Sequence, residues 1–304
     1  MRLVSFSADD AGPRRSGLVT AAGIADVEAI ASVAGLDGAG RDALTSTRQL
    51  LALPATDLAE LAQAAEGHAA QLRERGALHD PGEVRLGPPV PDPQKIICLG
   101  LNYRDHAREA GLSEPAAPMF FAKFANSLIG PTDPIVPPRD GAAQVDYEAE
   151  LAVVIAARAR NVEAAGALEH VAGAMAFNDV SARDLQMANS LWTGGKAIDT
   201  FGPCGPALVT IDEIPDLQAL RVRTRVNGET VQDGNTAEMI FSVAETIAFL
   251  SRIMTLEPGD IIATGTPAGI GNARDPKLFL NAGDVVEVEL EDVGTLRNPV
   301  TAAA

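Results

Sequence analysis

The stretch 146–155, DYEAELAVVI, decides the fold more than any other part of the sequence. In a strand, alternate side chains point to opposite faces, so Glu148 and Glu150 share one face while Tyr147 lies on the other. Further along both faces are apolar, which is typical of a strand buried on two sides. Carboxylates that enter such a strand are costly to bury unless a cation neutralises them. Taken alone, the pattern favours an exposed strand end with both acids in water, and metal binding is the alternative.

From residue 95 onward the sequence consists mainly of short apolar runs that Gly and Pro interrupt. Such runs predict strands, and they are KIICLGL, ELAVVIA, PALVTI, RVRTRVNG, DIIATG and DVVEVELEDVG. Apolar residues at helical spacing predict one helix at 237–254. The predicted fold class is therefore α+β and rich in β-strands.

The first ninety or so residues differ in sequence pattern from the rest of the chain. They begin with the strand-like LVSFSA, and 57–75 has helical spacing with Asp57 placed as the N-cap. The segment LGPPVPDPQ at 86–94 contains four prolines and cannot continue a helix or a central strand. We therefore predict a small N-terminal α/β domain at 1–90, a linker, and a larger domain at 91–304.

Charge and composition exclude several classes of function. The 24 basic and 41 acidic side chains give a formal net charge of −17, which argues against nucleic-acid binding. That charge would also repel an anionic substrate unless a metal or local cations reverse the field. The longest apolar run, 151–157, is too short to span a bilayer, and MRLVSFSADD shows no signal peptide. Cys98 and Cys204 form no disulfide framework, so we expect inert thiols and a cytoplasmic location.

Two further patterns are candidates for chemistry. Asp179, in AFNDVSARDLQ, follows a strand-like run, and with Glu148 and Glu150 it would make an all-oxygen site for Mg²⁺, Mn²⁺ or Ca²⁺. A capping role in an Asn-Asp turn is the alternative for this residue. In NYRDHAREAG, His106 and Glu109 are three apart, so one helical turn would pair a general base with a carboxylate. On its own, a solvated and ion-paired helix explains RDHARE better.

The remaining patterns are weaker. The loop in DIIATGTPAGIG lacks the phosphate-binding and dinucleotide spacings, so we expect a tight turn at a pocket, with Thr266 offering its hydroxyl and amide. No GxSxG occurs, so a serine-hydrolase elbow is not supported. Trp192 is expected to fill the core rather than to line the pocket. Glu287, Glu289 and Glu291 share a strand face that we expect in water, although they resemble a second E-x-E metal pair.

Seven motifs occur in a fixed order: GLNYRDHAREAG, FAKFANSLIGP, DYEAELAVVI, NDVSARDLQ, GKAIDTFGPCGPAL, NGETVQDGNTAEMIF and LEPGDIIATGTPAGIG. This set, spanning 95–297, resembles the fumarylacetoacetate hydrolase family, in its bacterial two-domain, acylpyruvate-hydrolase-like form. The resemblance implies a β-roll or barrel catalytic domain behind a small N-terminal domain, and a homodimer.

The resemblance also implies roles for particular residues. Glu148, Glu150 and Asp179 match the ligands of a Mg²⁺ or Mn²⁺ ion, with Ca²⁺ as a further option. His106 and Glu109 match the base and its orienting acid on a mobile lid. The residues implied to hold or act on an anionic keto-acid substrate are Tyr103, Lys123, Arg183, Gln186, Lys196 and Thr266, with both lysines counted as catalytic.

The function implied is hydrolysis of a carbon–carbon bond in a 1,3-diketone, an acylpyruvate or 2,4-diketo acid, to a pyruvate-like product and a carboxylic acid. The lid would bring His106 to a water that attacks the distal carbonyl. The alternative within the family is a decarboxylase or isomerase of oxaloacetate-like or 2-hydroxydienoate substrates in aromatic or sugar-acid catabolism. A third hypothesis is a metal-bound sensor or binding protein. Loss of turnover in His106→Ala with metal binding kept would support catalysis, whereas no effect on any activity would favour the binding role.

Overall fold

The computed structural model describes residues 1–8, 12–36, 44, 46–139 and 142–303. Their strands are β1 Arg2–Ser7, β2 Arg15–Thr20, β3 Gly23–Asp26, β4 Leu78–His79, β5 Arg85–Gly87, β6 Ile96–Gly100, β7 Met119–Lys123, β8 Leu128–Ile129, β9 Val145–Asp146, β10 Ala149–Ile155, β11 Val171–Asn178, β12 Ser181–Ala182, β13 Gly202–Thr210, β14 Arg221–Val226, β15 Glu229–Asn235, β16 Ile261–Ala263, β17 Val285–Leu290 and β18 Gly294–Pro299. The helices are α1 Val27–Ala34, α2 Thr47–Leu50, α3 Ala55–Gly67, α4 Ala69–Glu74, α5 Arg104–Glu109, α6 Arg183–Gln186, α7 Thr193–Lys196 and α8 Val243–Ile253. All six runs predicted as strands, and LVSFSA, contain strands.

One mixed sheet of 12 strands forms the centre, in the order β4-β3-β2-β1-β13-β11-β10-β16-β6-β7, with β5 beside β1 and β8 beside β13. A second sheet has the order β15-β14-β17-β18, and β9 pairs with β12. The strand β10 lies between β11 and β16, and every one of its residues is buried. The sequence pattern had predicted a strand buried on both faces, and the α+β, strand-rich fold class is confirmed.

The N-terminal strands belong to the same sheet as the rest of the chain. Strand β1 pairs with β13 through Arg2↔Val209 and Leu3↔Leu208. The Pro-rich segment expected to be a linker begins inside β5, which pairs with β1, so its first residues are part of the sheet. The division at residue 90 into two domains stays a prediction.

The two predicted helices are shorter than expected. The segment predicted as one helix at 57–75 is two, because the chain leaves the helical conformation at His68, and Pro54 rather than Asp57 is the N-cap of α3. The helix predicted from residue 237 starts at Val243, after the N-cap Ser242. Before it, Thr236–Glu238 form a separate 3₁₀ turn, and the amides of Ile240 and Phe241 bond to Asn102 instead of to helical carbonyls.

Smaller predictions have mixed outcomes. Trp192 is half-buried instead of filling the core: it packs edge-on against Phe121, with ring centroids 5.5 Å apart. Glu291 is exposed as expected, but Glu287 and Glu289 are partly buried beside arginines. Because these glutamates already have arginine partners, the second E-x-E pair is structural.

Both cysteines are free and buried, and burial raises the pKa of the Cys98 and Cys204 thiols. Both are therefore packing residues, and a raised pKa favours the protonated, less reactive thiol. Within the described residues, none of the helices has the length and apolar character that a bilayer crossing requires.

Candidate active site

Three carboxylates meet at the end of β10. The pairing of Ala149 with Asn178 places Asp179 opposite Glu148, and the amide of Asp179 donates to the Glu148 carbonyl at 2.9 Å. Glu148, Glu150 and Asp179 each offer one oxygen, and these oxygens lie within 4.8 Å of one another. All three side chains are buried. The strand-end alternative, with both glutamates in water, is therefore wrong.

Three cations surround these carboxylates. Lys196 Nζ donates to Glu148 Oε2 at 2.7 Å and to Asp179 Oδ2 at 2.8 Å. Lys123 Nζ donates to Asp179 Oδ1 at 2.6 Å, and Arg183 Nη2 lies 2.7 Å from Glu148 Oε1. Both lysines are almost fully buried. Two of the four lysines in the sequence therefore lie here, where they offset the negative charge of the buried carboxylates.

The pKa values of the two glutamates shift in opposite directions, because in the described part of the chain cations contact Glu148 but not Glu150. Burial alone raises the pKa of Glu148, but Lys196 and Arg183 outweigh burial and lower it to about 2. Glu150 has no ion pair among the described residues, and burial with the like charges of Asp179 and Glu148 raises its pKa well above the usual value. Burial opposes the charge of Lys196, yet Asp179 and Glu148 raise its pKa.

The carboxylate site fits a hard divalent cation. Glu150 Oε2 accepts from the Gly265 amide at 2.9 Å, whereas its Oε1 is buried with no hydrogen-bond partner among the described residues. A buried carboxylate oxygen without a partner is costly, and a metal ion would remove that cost. An all-oxygen donor set suits Mg²⁺, Mn²⁺ or Ca²⁺ rather than structural zinc.

The imidazole–carboxylate pair forms as the spacing predicted. Helix α5 carries both residues, and His106 Nδ1 lies 3.3 Å from Glu109 Oε2. The other oxygen, Oε1, accepts from the Gly269 amide at 2.9 Å, so α5 contacts the loop that follows β16. Both side chains are partly exposed, at 13% for His106 and 21% for Glu109, so the pair can be reached from solvent.

The other predicted substrate residues are also near the carboxylates, but several of their polar groups are engaged. Gln186 Oε1 accepts from Arg183 Nη1 at 3.0 Å. The Thr266 hydroxyl donates to the Ala149 carbonyl and accepts from Gln232 Nε2, both at 2.9 Å. The Tyr103 hydroxyl is fully buried without a partner among the described residues, and burial followed by the charge of Glu150 raises its pKa.

The sequence analysis missed three residues that hold the site together: Asp146, Tyr147 and Gln232. Asp146 binds Arg183 Nε at 2.8 Å and the amide of Gly271 at 2.7 Å. Gln232 accepts from the Ala149 amide at 3.0 Å and donates to the Pro267 carbonyl at 2.9 Å. Asp146 and Tyr147 stand next to Glu148 in sequence, but nothing in the local pattern distinguishes them from scaffold.

A separate cavity of about 1060 Å³ lies beside α3 and the N-terminal strands. Its wall is mostly apolar and includes Leu18, Leu51, Leu58 and Val171. None of the candidate site residues lines it. The cavity is therefore separate from the residues that the sequence analysis singled out for chemistry.

Proton transfer next to carboxylates that could hold a divalent cation is the chemistry that these side chains support, so the fold and the site are those of an enzyme. Residues 95–301 match the model of the fumarylacetoacetate (FAA) hydrolase C-terminal domain. The chain belongs to the fumarylacetoacetate hydrolase family, as its ordered motifs indicated. Enzymes of this family act on small organic acids.

Three similar proteins have different reactions in their names. The mitochondrial oxaloacetate tautomerase of Xenopus laevis is 48% identical over 219 residues, 71% of this chain and 68% of that protein. A fumarylacetoacetate hydrolase structure from Exiguobacterium antarcticum has TM-score 0.78 and 35% identity, covering 99% of each chain. A 2-hydroxyhepta-2,4-diene-1,7-dioate isomerase structure from Mycobacterium marinum has TM-score 0.64 and 39% identity, covering 73% of this chain and 79% of the other.

Proposed function

We propose that this protein is a tautomerase of oxaloacetate or a closely similar 2-oxo dicarboxylic acid. The observation that carries the proposal is the 48% identity to an oxaloacetate tautomerase over 71% of the chain. The His106–Glu109 pair supports it, because tautomerisation requires one acid–base group and an environment that stabilises an enolate. This proposal replaces carbon–carbon bond hydrolysis, the reading that the motifs first suggested, as the leading function.

In the proposed reaction one proton moves between C3 and the oxygen on C2, so atoms and charge balance without a second reactant. His106 removes the proton from C3 of the keto form, and its imidazolium gives that proton to the C2 oxygen. Glu109 orients the imidazole through Nδ1 and stabilises its charged form. The mobile lid expected from the family would exclude bulk water during this transfer.

Glu148, Glu150 and Asp179 would hold the divalent ion. When bound, Mg²⁺ or Mn²⁺, with Ca²⁺ as a further option, supplies Lewis-acid stabilisation of negative charge on an enolate oxygen. The substrate's carboxylates would bind near Arg183, Gln186, Lys123 and Lys196, with Tyr103 forming part of the wall. Thr266 would contribute its backbone amide, since its hydroxyl is already engaged.

Hydrolysis of an acylpyruvate or 2,4-diketo acid is the second candidate. The structural similarity to the hydrolase of Exiguobacterium antarcticum favours it. The same His106–Glu109 pair would then activate a water molecule instead of moving a substrate proton. Decarboxylation of oxaloacetate uses the same enolate and is a further outcome that an assay separates.

The test is an assay of enol-oxaloacetate decay, followed by loss of enol absorbance against a protein-free blank, with Mg²⁺, Mn²⁺, Ca²⁺ or chelator. Pyruvate and CO₂ are measured in the same samples, and acylpyruvates are tested in parallel for release of a carboxylic acid. We expect faster enol decay without pyruvate or CO₂, and chelator should abolish the acceleration. Pyruvate with CO₂ would instead indicate a decarboxylase, and cleavage of the acylpyruvate a hydrolase.

His106→Ala tests whether the chemistry lies at this site. We expect turnover to fall by at least about 100-fold, the usual contribution of a general base, with Mn²⁺ affinity unchanged. His68→Ala is the matched control, because His68 lies at the junction of α3 and α4. Unchanged turnover in His106→Ala would contradict the assignment, and no activity on any substrate would favour a binding protein.

Homodimer formation and location are further proposals. Strand β7 is at an edge of the 12-stranded sheet, and exposed apolar side chains lie on or near it in sequence: Met119 and Phe120 on the strand and Phe124 just after it. An exposed apolar edge is typical of an interface, and the family resemblance suggests a second copy as the partner. Buried, unpaired cysteines suit a reducing compartment. The frog relative is named as mitochondrial, so a cytoplasmic location stays a prediction.

A further inference from the structure

The loop after β16, residues 265–272, is hydrogen-bonded to residues 146–150, the segment that carries the glutamates. Its contacts run in reverse order along the two segments: Gly265 N to Glu150 Oε2, Thr266 Oγ1 to the Ala149 carbonyl, Tyr147 Oη to the Gly269 carbonyl, and Gly271 N and Asn272 N to the Asp146 carboxylate. The distances lie between 2.7 and 3.2 Å. The loop is therefore fixed relative to the carboxylate site at four points.

Gly269 is the point where this loop also contacts α5, the helix that carries His106 and Glu109 and that we call the lid helix. Its carbonyl accepts from the Tyr147 hydroxyl at 3.2 Å, and its amide donates to Glu109 Oε1 at 2.9 Å. Its φ of +105° belongs to the region that favours glycine, and a Cβ there would lie 2.3 Å from the Val231 carbonyl oxygen. Because the Gly269 backbone packs closely against Val231 on β15, the orientation of the Gly269 amide is restricted.

Glu109 uses its two carboxylate oxygens for different partners. Oε2 faces His106 Nδ1 at 3.3 Å, while Oε1 accepts from the Gly269 amide. Glutamate has three side-chain torsions, so a second anchor is needed to hold its carboxylate in one orientation toward an imidazole. The Gly269 amide provides that anchor because α5 lies against the loop, so the position of α5 and the orientation of the Glu109 carboxylate depend on each other.

We propose that Tyr147 is a positioning residue for Glu109, acting through Gly269. Its hydroxyl holds the Gly269 carbonyl and so fixes the backbone whose amide anchors the Glu109 carboxylate. Tyr147 is fully buried between Asp146 and Glu148 in sequence, and its own hydroxyl proton is used in this bond rather than in the reaction. The inference rests on the proposed function only in treating His106 as the base that Glu109 orients.

Tyr147→Phe removes this one hydroxyl and keeps the ring. We expect faster amide hydrogen exchange in the lid, residues 104–112, because its contact with the loop is weakened. We also expect kcat to fall about fivefold, the factor that loss of one ordinary hydrogen bond gives, with KM and Mn²⁺ affinity unchanged. A role in stability alone would lower the unfolding temperature without a selective loss of kcat or a local change in exchange.

The matched control is Thr246→Val, which removes a buried hydroxyl from α8 with little change in shape. It should leave lid exchange and kcat at wild-type values. Unchanged lid exchange in folded Tyr147→Phe would overturn the inference, as would a change in Mn²⁺ affinity equal to the loss of kcat. Exchange and Mn²⁺ binding are measured without substrate, so they decide the role of Tyr147 even if the protein proves inactive toward oxaloacetate.

Discussion

At the scale of single residues, the cost of burying negative charge explains why lysines surround the buried carboxylates. Glu148 and Asp179 are paired with Lys196, while Glu150 has a buried oxygen with no partner in the part of the chain that the structure describes. Lysines that the sequence assigned to the substrate thus also serve as counter-ions of the carboxylates. Their direct contact with a substrate stays a prediction. Without Lys196, and within the described residues, Glu148 would keep only Arg183 and Asp179 only Lys123 as a cationic partner, so the cost of burying these acids would rise.

A residue-scale prediction concerns proton release on metal binding. Burial and neighbouring acids raise the pKa of Glu150, which favours its protonated form, whereas a metal ligand must be ionised. Binding of Mn²⁺ should therefore displace up to one proton per ion, and affinity should increase as pH is raised. Calorimetry in two buffers of different ionisation enthalpy measures this release. Mn²⁺ affinity that does not change with pH would contradict the prediction, and Glu150→Gln should remove both the pH dependence and most of the affinity.

At the scale of elements, caps and hydrogen bonds to distant residues decide where helices begin. Apolar spacing predicts a helix back to residue 237, but Thr236–Glu238 form a separate 3₁₀ turn, and Ile240 N bonds to the Asn102 carbonyl at 2.7 Å instead of continuing a helix. The helix starts instead at a capping box, in which Ser242 and Glu245 exchange hydrogen bonds between side chain and backbone. The pattern S-x-x-E is present in the sequence, so this start could have been recognised.

The element-scale prediction is that Ser242→Ala destabilises the protein. Removing the N-cap side chain leaves a backbone amide of α8 without its partner, at a cost of about 1 kcal/mol in the free energy of unfolding. Urea denaturation measures this loss, and Ser242→Thr should recover most of it because threonine is also a good N-cap. Equal stability of the alanine variant and the wild type would show that the cap contributes nothing.

At the scale of the whole molecule, the central sheet joins parts of the chain that are distant in sequence. The first strand pairs with β13, about 200 residues later, and β6 pairs in parallel with β16. The sheet then ends at β7, where apolar side chains are left exposed. Trp192 packs against Phe121 on this strand, so the neighbouring Leu191, exposed at 74%, extends the same surface.

The prediction at this scale is that the β7 surface is the homodimer interface. Light scattering after gel filtration should give a mass twice that of one chain. The double variant Phe124→Asp, Leu191→Asp should shift the protein to the monomer, because charges would be buried in an apolar contact. Leu168→Asp is the matched control, since Leu168 is also exposed but lies far from β7 in sequence. A wild-type monomer, or a double variant that stays dimeric, would contradict the prediction.

The sequence by itself determined the family, the strand-rich fold class and six strands of the larger part of the chain. It also indicated two sets of site residues, the carboxylates Glu148, Glu150 and Asp179 and the pair His106 and Glu109. The strands follow from short apolar runs, which depend only on neighbours along the chain. The family follows from the order of seven motifs, and the resemblance that they carry, more than the local spacing of the acids or of His106 and Glu109, indicates the two sets. Neither kind of pattern requires knowledge of a tertiary contact.

Only the tertiary structure decided that the glutamates are buried, that Lys196 pairs with Glu148 while both lysines pair with Asp179, and that Tyr147 reaches Gly269. Lys123 lies 56 residues from Asp179, and Gly269 lies 122 residues from Tyr147. The energies of these contacts depend on distance in space and on exclusion of water, neither of which a local pattern contains. The chemistry of each side chain is therefore encoded locally, whereas its charge state and partners are set by the fold.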